Sequence, residues 1–344
     1  MKNPSLKEWA NLYQITDRFK SVAPWQWVQN EGLFSVVNPE NGQVGYCLIL
    51  GSAKEEFGLG VFQGEKGYRR YLNLITGESG SDDFTESIMT PAITLLFADH
   101  RDLQKEDLEI IRSLGLKYRG RSAWPLFRSQ KPGYAPWFID KDEALFLTVA
   151  IEQALVVADK VRNDGLDLYE EVDEDLVFTR YYSNGEWREG WRRPELPPRD
   201  ISTGIETTAA IVNEAEMLLL RNASGAPSGG WELDIFIMPV PIGPKSGRPT
   251  FPLCFLVVET KLGTIINTEM MEPWSSLSHQ RDVFIQILKK AERLPRSIRV
   301  KSNKVAAILE PVTTSLGIRL QVGEIPLVEE AKSELSAYLS GPKG

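Results

Sequence analysis

Residues 231–339 limit the fold more than any other part of the sequence. Segments with the two-residue hydrophobic periodicity of strands are followed there by segments that alternate between this periodicity and the 3.6-residue periodicity of helices. In residues 231–240, apolar Leu233, Ile235 and Ile237 alternate with acids, which predicts a strand with one buried face. The same periods predict, in order, strands at 253–259 and 264–270, a helix capped by Ser275 or Ser276, a strand at 298–300, a helix capped by Asn303, a strand at 318–322 and a helix opened by Pro326. The predicted order of this α/β domain is therefore β-β-β-α-β-α-β-α.

That order resembles the ribonuclease H-like fold, in which an antiparallel meander continues into a parallel half covered by helices. For an active enzyme, the resemblance implies two metal ions held by carboxylates on the first strand, the first helix, the end of the fourth strand and the last helix. Acids at three of these places are Asp234, Asp282 and Glu330. The fourth strand runs into Lys301 instead, and a lysine beside a missing carboxylate argues against a divalent cation. We therefore expect a degenerate ribonuclease H-like scaffold without catalysis. The alternative is a metal-dependent nuclease or phosphoryl-transfer enzyme that uses those three acids.

At 344 residues the chain is too long for one ordinary core, and a proline-rich stretch divides it. Residues 194–198 have the sequence PELPP, which predicts a stiff connector. We expect an α+β domain over residues 1–193, a connecting segment over 194–230 and the α/β domain over 231–344. No run reaches the roughly 18 apolar residues of a membrane span, and the first residues are polar. The sequence therefore predicts a cytoplasmic protein without a membrane segment.

The first half mixes helix and strand patterns. A helix over residues 5–23 and a long apolar helix opened by Asp140, with Glu143 completing a capping box, are the strongest helix signals. Asn-Gly pairs at residues 41–42 and 184–185 predict hairpins. Residues 122–136 hold three prolines, so we expect that stretch to be irregular.

Two glycines, Gly58 and Gly60, alternate within a strand predicted over residues 57–62. Glycines at this spacing let another backbone or a ligand approach closely. A dinucleotide fingerprint needs a third glycine and a following helix cap, and both are missing from the sequence. Tight sheet packing or a bulge is therefore the favoured explanation.

The sequence has few of the residues that hold metals or act as nucleophiles. Cys47 and Cys254 are the only cysteines, and His100 and His279 the only histidines, without the spacing of a zinc site. Both cysteines lie in apolar runs, which favours buried free thiols over a disulfide. A Cys–His nucleophile pair, Cys47 with His100 or Cys254 with His279, is the less favoured alternative. We expect no metal and no cofactor.

One segment departs from the acidic character of the chain, whose net charge is −8. Residues 289–304 hold seven bases and a single acid. The bases are Lys289, Lys290, Arg293, Arg296, Arg299, Lys301 and Lys304. Gathered on one sheet edge, they would bind nucleic-acid phosphates. Alternatively, they complement a helix dipole or pair with the acid-rich residues 164–175. The net charge disfavours nucleic acid. The sequence leaves the partner open, with a protein as one candidate and nucleic acid as a less favoured one.

A second candidate surface is aromatic and lies in proline-bearing segments of the first half. Its residues are Trp25, Trp27, Trp124, Tyr134 and Trp137. Clustered tryptophans in loops can form a groove for a peptide or small molecule. Packing of these rings into the core is the favoured alternative.

The chain as a whole resembles a two-domain family of uncharacterised bacterial proteins, each domain being one of unknown function. The residues that carry this resemblance are the APWQW motif at 23–27, the GYAPWF motif at 133–138 and the LGI motif at 316–318. The resemblance implies no activity. The sequence therefore predicts a non-catalytic binding or scaffold protein.

Overall fold

The computed structural model describes residues 2–77, 83–168, 176–194, 213–223, 225–244 and 247–339. The chain divides into two compact units, Met1–Pro197 and Pro198–Gly344, which we call the first and the second unit. Each unit holds one sheet with helices packed against it, so the mixed α and β content predicted for the chain is confirmed. In the described ranges, no helix is both long and apolar enough to cross a bilayer.

A seven-stranded sheet forms the centre of the first unit. Its strands are β1 (Leu33–Val37), β2 (Val44–Leu50), β3 (Gly58–Gln63), β4 (Ala92–Ala98), β5 (Trp124–Gln130), β6 (Val177–Ser183) and β7 (Glu186–Arg192). They lie in the order β5-β4-β3-β2-β1-β6-β7, and of these neighbours β1 and β6 pair in parallel while the others are antiparallel. The two predicted hairpins join β1 to β2 and β6 to β7. Gly42 and Gly185 take the positive φ that these turns require, 75° and 86°.

The helices of the first unit cover both faces of this sheet. They are α1 (Leu6–Val22), α2 (Gly64–Thr76), α3 (Asp83–Met89), α4 (Lys105–Ser113) and α5 (Lys141–Asn163), with 3₁₀ turns at Pro24–Gln26 and His100–Asp102. Helix α5 begins directly after its N-cap Asp140, and the predicted capping box of Asp140 and Glu143 is present. Helices α1 and α5 pack on the face that carries Phe34 and Ile49, and α2 packs on the opposite face, where Tyr68 contacts Tyr46.

The prediction that the whole stretch 122–136 is irregular is wrong, because seven of its fifteen residues form strand β5. This strand pairs with β4 along its whole length, from Trp124 opposite Ala98 to Gln130 opposite Ala92. It is an edge strand, where Pro125 is tolerated because one side of the backbone needs no ladder partner. The other two prolines of the stretch lie beyond the strand.

The second unit is built on a five-stranded sheet. Its strands are β8 (Gly230–Ile237), β9 (Leu253–Glu259), β10 (Ile265–Met271), β11 (Ser297–Val300) and β12 (Arg319–Val322), in the order β10-β9-β8-β11-β12. Strands β8, β9 and β10 form an antiparallel meander. Strand β11 pairs in parallel with β8, and β12 pairs in parallel with β11.

Helices cover both faces of this second sheet. They are α6 (Glu214–Ala223), α7 (Leu277–Lys290), α8 (Asn303–Leu316) and α9 (Pro326–Leu339). On one face, the Phe284 ring of α7 stacks on the Phe255 ring of β9. On the other face, Val328 of α9 packs in a cluster with Cys254 and Leu256. Helix α8 is capped by Ser302, whose hydroxyl accepts the N–H of residue 305, and not by the predicted Asn303, which is its first residue.

Candidate functional site

Two buried carboxylates of the second unit, Glu232 and Asp234, lie on the sheet face that α9 covers. Glu232 and Asp234 stand two positions apart on β8, so both side chains point to that face. They are only 2% and 7% exposed. The sequence predicted a half-buried strand with these acids on its polar side. That expectation is wrong, because α9 covers the side of β8 that bears the acids.

Strand β11 and helix α9 bring bases to the same face. The parallel register places Arg299 beside Glu232, so Lys301 follows next to Asp234. Helix α9 contributes Glu329 and Lys332, which are three residues apart and therefore lie on the same side of the helix. We call Asp234, Lys301, Glu329 and Lys332 the lysine–carboxylate cluster.

Within the cluster, two ammonium groups link two carboxylates. Lys332 Nζ donates to Asp234 Oδ2 and lies 3.3 Å from Glu329 Oε1. Lys301 Nζ donates to the same Glu329 oxygen at 2.9 Å. Burial opposes ionisation of Glu329, but the hydrogen bonds and charges of the two lysines outweigh it and hold the pKa of Glu329 below its ordinary value. The hydrogen bond to Glu329 raises the pKa of Lys301.

The neighbouring Glu232 caps the N-terminus of α9. Its Oε2 accepts the backbone N–H of Leu327 at 2.8 Å and that of Val328 at 3.2 Å. These are first-turn groups without a partner in the helix, and a carboxylate there is also favoured by the helix dipole. Its other oxygen lies 3.8 Å from Arg299. Glu232 therefore caps, from the sheet, a helix that begins far along the chain.

The acids predicted for a two-metal centre are not brought together. Asp282 is exposed on α7, which packs on the sheet face opposite α9, and Glu330 is exposed on α9. Throughout the part of the chain that the structure describes, no group of three or more Asp, Glu, His or Cys side chains is placed to hold a metal ion. The donor set around Asp234 includes two lysines, which are not metal ligands while protonated. These residues do not fit a two-metal centre.

The seven predicted basic residues do not form one free edge. Four of them have partners in their own unit: Lys289 with Glu216, Arg296 with the Pro227 carbonyl, Arg299 with Glu232 and Lys301 with Glu329. Lys290, Arg293 and Lys304 make no ion pair with any residue that the structure describes. Most of the acid-rich segment 164–175, the alternative partner considered for these bases, lies outside the described residues.

The predicted aromatic surface is largely packed into the first unit. The Trp25 ring lies within 5.7 Å of the rings of Phe19, Phe57 and Phe97. Trp27 donates its indole N–H to a backbone oxygen of α5, and Trp124 packs against the same core. Tyr134 and Trp137 are half-buried. The rings therefore support the core packing that was the favoured alternative.

The two thiols are buried and free, as the sequence predicted. Burial raises the pKa of the Cys47 thiol, and it raises the pKa of Cys254 to about 12. Neither thiol is ionised near neutral pH, so neither is prepared to act as a nucleophile.

A cleft of about 460 Å³ lies on the α2 face of the first sheet. Its floor includes the hydroxyls of Ser35 and Thr179, which are 2.8 Å apart and bond to each other. Thr179 donates in turn to a backbone oxygen within its own strand. Both hydroxyl groups on this floor already have hydrogen-bond partners within the protein, so they do not indicate a ligand site.

The protein thus has two units of mixed α and β structure, and in the second unit the carboxylates of the lysine–carboxylate cluster are paired with lysines. The chain belongs to the family described as a domain of unknown function, DUF7309, whose model matches residues 9–180. A second domain of unknown function, DUF6930, matches residues 219–336. The resemblance to a family with two such domains is confirmed.

Comparison with known proteins does not assign an activity to this chain. No curated protein matches the chain. Among solved structures, the catalytic core domain of the HTLV-2 integrase in complex with magnesium is similar to this chain in both its trimeric and its dimeric forms. Each match has 17% identity and a TM-score of 0.25, and covers 34% of this chain and 75% of the integrase chain. A match at this level does not indicate which reaction or ligand belongs to this chain.

Lys332 is the residue that sequence reasoning missed. The ribonuclease H-like resemblance implies an acid on the last helix, and it gives no role to a lysine there. A signal was nevertheless present, because Lys332 follows Ala331 and stands four residues after Val328 on an apolar helix face. A lysine at the border of such a face can reach a buried acid with its long side chain.

Proposed function

We propose that this protein acts by non-catalytic binding, and that its second unit is a ribonuclease H-like scaffold in which a salt-bridge cluster takes the place of the metal centre. The observation that carries the proposal is Lys332, whose ammonium group bonds Asp234 and contacts Glu329 under α9. The alternative, a metal-dependent nuclease or phosphoryl-transfer enzyme, would need these carboxylates for cations.

The arrangement of the sheet supports the ribonuclease H-like assignment. The strand at its centre is the first of the unit, with an antiparallel meander on one side and two parallel strands on the other. A helix follows each of the last three strands. Asp234 on the central strand and Lys301 after β11 stand at two of the places where the resemblance expects acidic ligands.

Electrostatics explains why the cluster disfavours divalent cations. Magnesium and manganese bind oxygens that carry free lone pairs and negative charge. Here Asp234 and Glu329 already bond ammonium groups, and a cation placed beside Lys332 would be repelled at short range. The lysines supply positive charge to the carboxylates without a metal, so the cluster takes a structural role in place of a catalytic one.

Calorimetric titration of the full chain with MnCl₂ and MgCl₂ tests this proposal. We expect no saturable binding to the unsubstituted protein. We expect Lys332→Met to gain weak Mn²⁺ binding, because it frees the Asp234 carboxylate, and the added substitution Asp234→Asn to remove that gain. Lys304→Met is the matched control, since Lys304 is exposed and makes no ion pair in the described part of the chain.

One outcome would restore the nuclease alternative. It is saturable Mn²⁺ binding to the unsubstituted chain that Asp234→Asn abolishes. Circular dichroism of each variant would show that it is folded before the titrations are compared.

A further inference from the structure

Strand β10 leaves one side of the second sheet open. It pairs with β9 and, among the described strands, has no neighbour on its other side. The segment around it exposes large apolar side chains: Leu262 at 79%, Ile265 at 45%, Ile266 at 38%, Met270 at 38% and Trp274 at 50%. An edge strand with exposed apolar groups and unpaired backbone N–H and C=O groups is a template for another strand.

Edge strands are usually protected by charge or by proline, and β10 lacks both kinds of protection over most of its length. It contains no lysine, arginine or proline, and its one charged residue is Glu269. The other edges differ, since β5 carries Pro125 and Arg128, β7 carries two arginines, and β12 begins with Arg319. A register shift at Ile266, which has no partner on β9, interrupts the start of β10, and such bulges also protect edges. Residues Asn267–Met271 pair regularly with β9 and present an unbroken edge.

We propose that β10 pairs in antiparallel fashion with β10 of a second copy of this chain, about a two-fold axis through Thr268. In this register Ile266 of one copy lies opposite Met270 of the other, so two apolar pairs form. Asn267 lies opposite Glu269, which sets an amide against a carboxylate. Thr268 lies opposite itself, and β-branched residues pair well across strands.

Other registers are poorer. An axis through Glu269 would set two carboxylates opposite each other, which is destabilising. An axis through Asn267 would set Glu269 opposite Ile265 and leave Met270 opposite Thr264. The register about Thr268 is the one that matches apolar with apolar side chains and keeps like charges apart.

The faces of the strand agree with this pairing. Thr268 and Met270 lie beside Leu256 and Cys254 of β9, so they stand on the sheet face that α9 covers. In the dimer, Met270 of each copy would lie on that face and continue its core outward. Two five-stranded sheets would become one sheet of ten strands, and the open backbone groups of β10 would gain hydrogen bonds. The inference does not depend on the state of the lysine–carboxylate cluster.

Cysteine cross-linking tests the two-fold axis directly. Thr268→Cys would place two thiols opposite each other, with Cα atoms about 4.5–5.5 Å apart, a span that a disulfide can bridge. Cys47 and Cys254 are buried and should not react. Val322→Cys is the matched control, because Val322 is 49% exposed on β12 at the opposite edge of the same sheet.

Under a mild oxidant, we expect the Thr268→Cys chain to form roughly tenfold more cross-linked dimer than the Val322→Cys chain, because pairing raises the local thiol concentration. Sedimentation of the unsubstituted protein should show a dimer, and the exposed substitutions Ile266→Lys and Met270→Lys together should convert it to a monomer. Each variant is compared by its thermal unfolding, so a loss of folding is recognised.

Two results would overturn the inference. One is a protein that sediments as a monomer at all concentrations, with equal cross-linking at residues 268 and 322. The other is a dimer that neither changes with the double lysine substitution nor cross-links at residue 268. Capture of an extended peptide from a different protein by a monomeric chain would likewise assign the edge to another occupant.

Discussion

Replacing Gly58 with alanine is expected to lower the free energy of unfolding of the first unit by about 3 kcal/mol. A Cβ atom built on Gly58 would lie 1.9 Å from the backbone oxygen of Leu95 and 2.9 Å from its carbonyl carbon. These atoms belong to β4, which pairs with β3, so the strands would have to separate. Urea unfolding followed by tryptophan fluorescence measures the effect, since seven of the nine tryptophans lie in residues 1–197.

The control for this substitution lies two residues along the same strand. A Cβ atom built on Gly60 meets nothing closer than a Phe62 ring atom at 3.7 Å, an ordinary contact. Gly60→Ala should therefore change stability by no more than about 0.5–1 kcal/mol, and in the stabilising direction, since alanine loses less backbone entropy on folding. Equal losses from both substitutions would refute the steric explanation.

The second large effect is expected from Lys332→Met. The Asp234 carboxylate would lose its ammonium partner while remaining 7% exposed, which should cost the second unit about 3 kcal/mol. Methionine keeps most of the side-chain length, so the packing over Phe236 would be largely preserved. Thermal and urea unfolding of the full chain, followed by circular dichroism, would measure the loss.

A double-mutant cycle separates charge from packing. Asp234→Asn together with Lys332→Met removes both charges, so its cost should be smaller than the sum of the single costs by about 1–3 kcal/mol. Lys304→Met should change stability by less than about 0.5 kcal/mol, as for other surface substitutions. If the single costs simply add, the two side chains do not interact in solution.

Local sequence patterns predicted most elements of both units, because caps and periods are short-range. The capping box at Asp140 and the alternation around Leu233 each depend on residues within one element. The same alternation could not reveal that Asp234 is buried. Its partner Lys332 is 98 residues away, and burial of the acid depends on α9 docking over the strand.

The errors in the candidate sites have a related cause. Basic residues 289–304 are contiguous in sequence, but their partners, such as Glu216 and Glu329, come from helices on either side of them in the chain. The tryptophans lie in proline-bearing segments, which predicted loops, but Trp25 is part of a 3₁₀ turn that begins at Pro24 and its ring packs against Phe57. Strand β5 tolerates Pro125 because it lies at the edge of the sheet, and the sequence alone does not show which strand lies at an edge.

The capping of α9 by Glu232 has a consequence for the order of folding. The carboxylate and the N–H groups that it accepts are 95 and 96 residues apart, so the strand leaves the ribosome well before the helix that will need it. Until α9 docks, the sheet face that bears Glu232 and Asp234 lacks the cover that this helix provides. We therefore expect α9 to complete the second unit, and a chain truncated before α9 to leave both acids exposed to water.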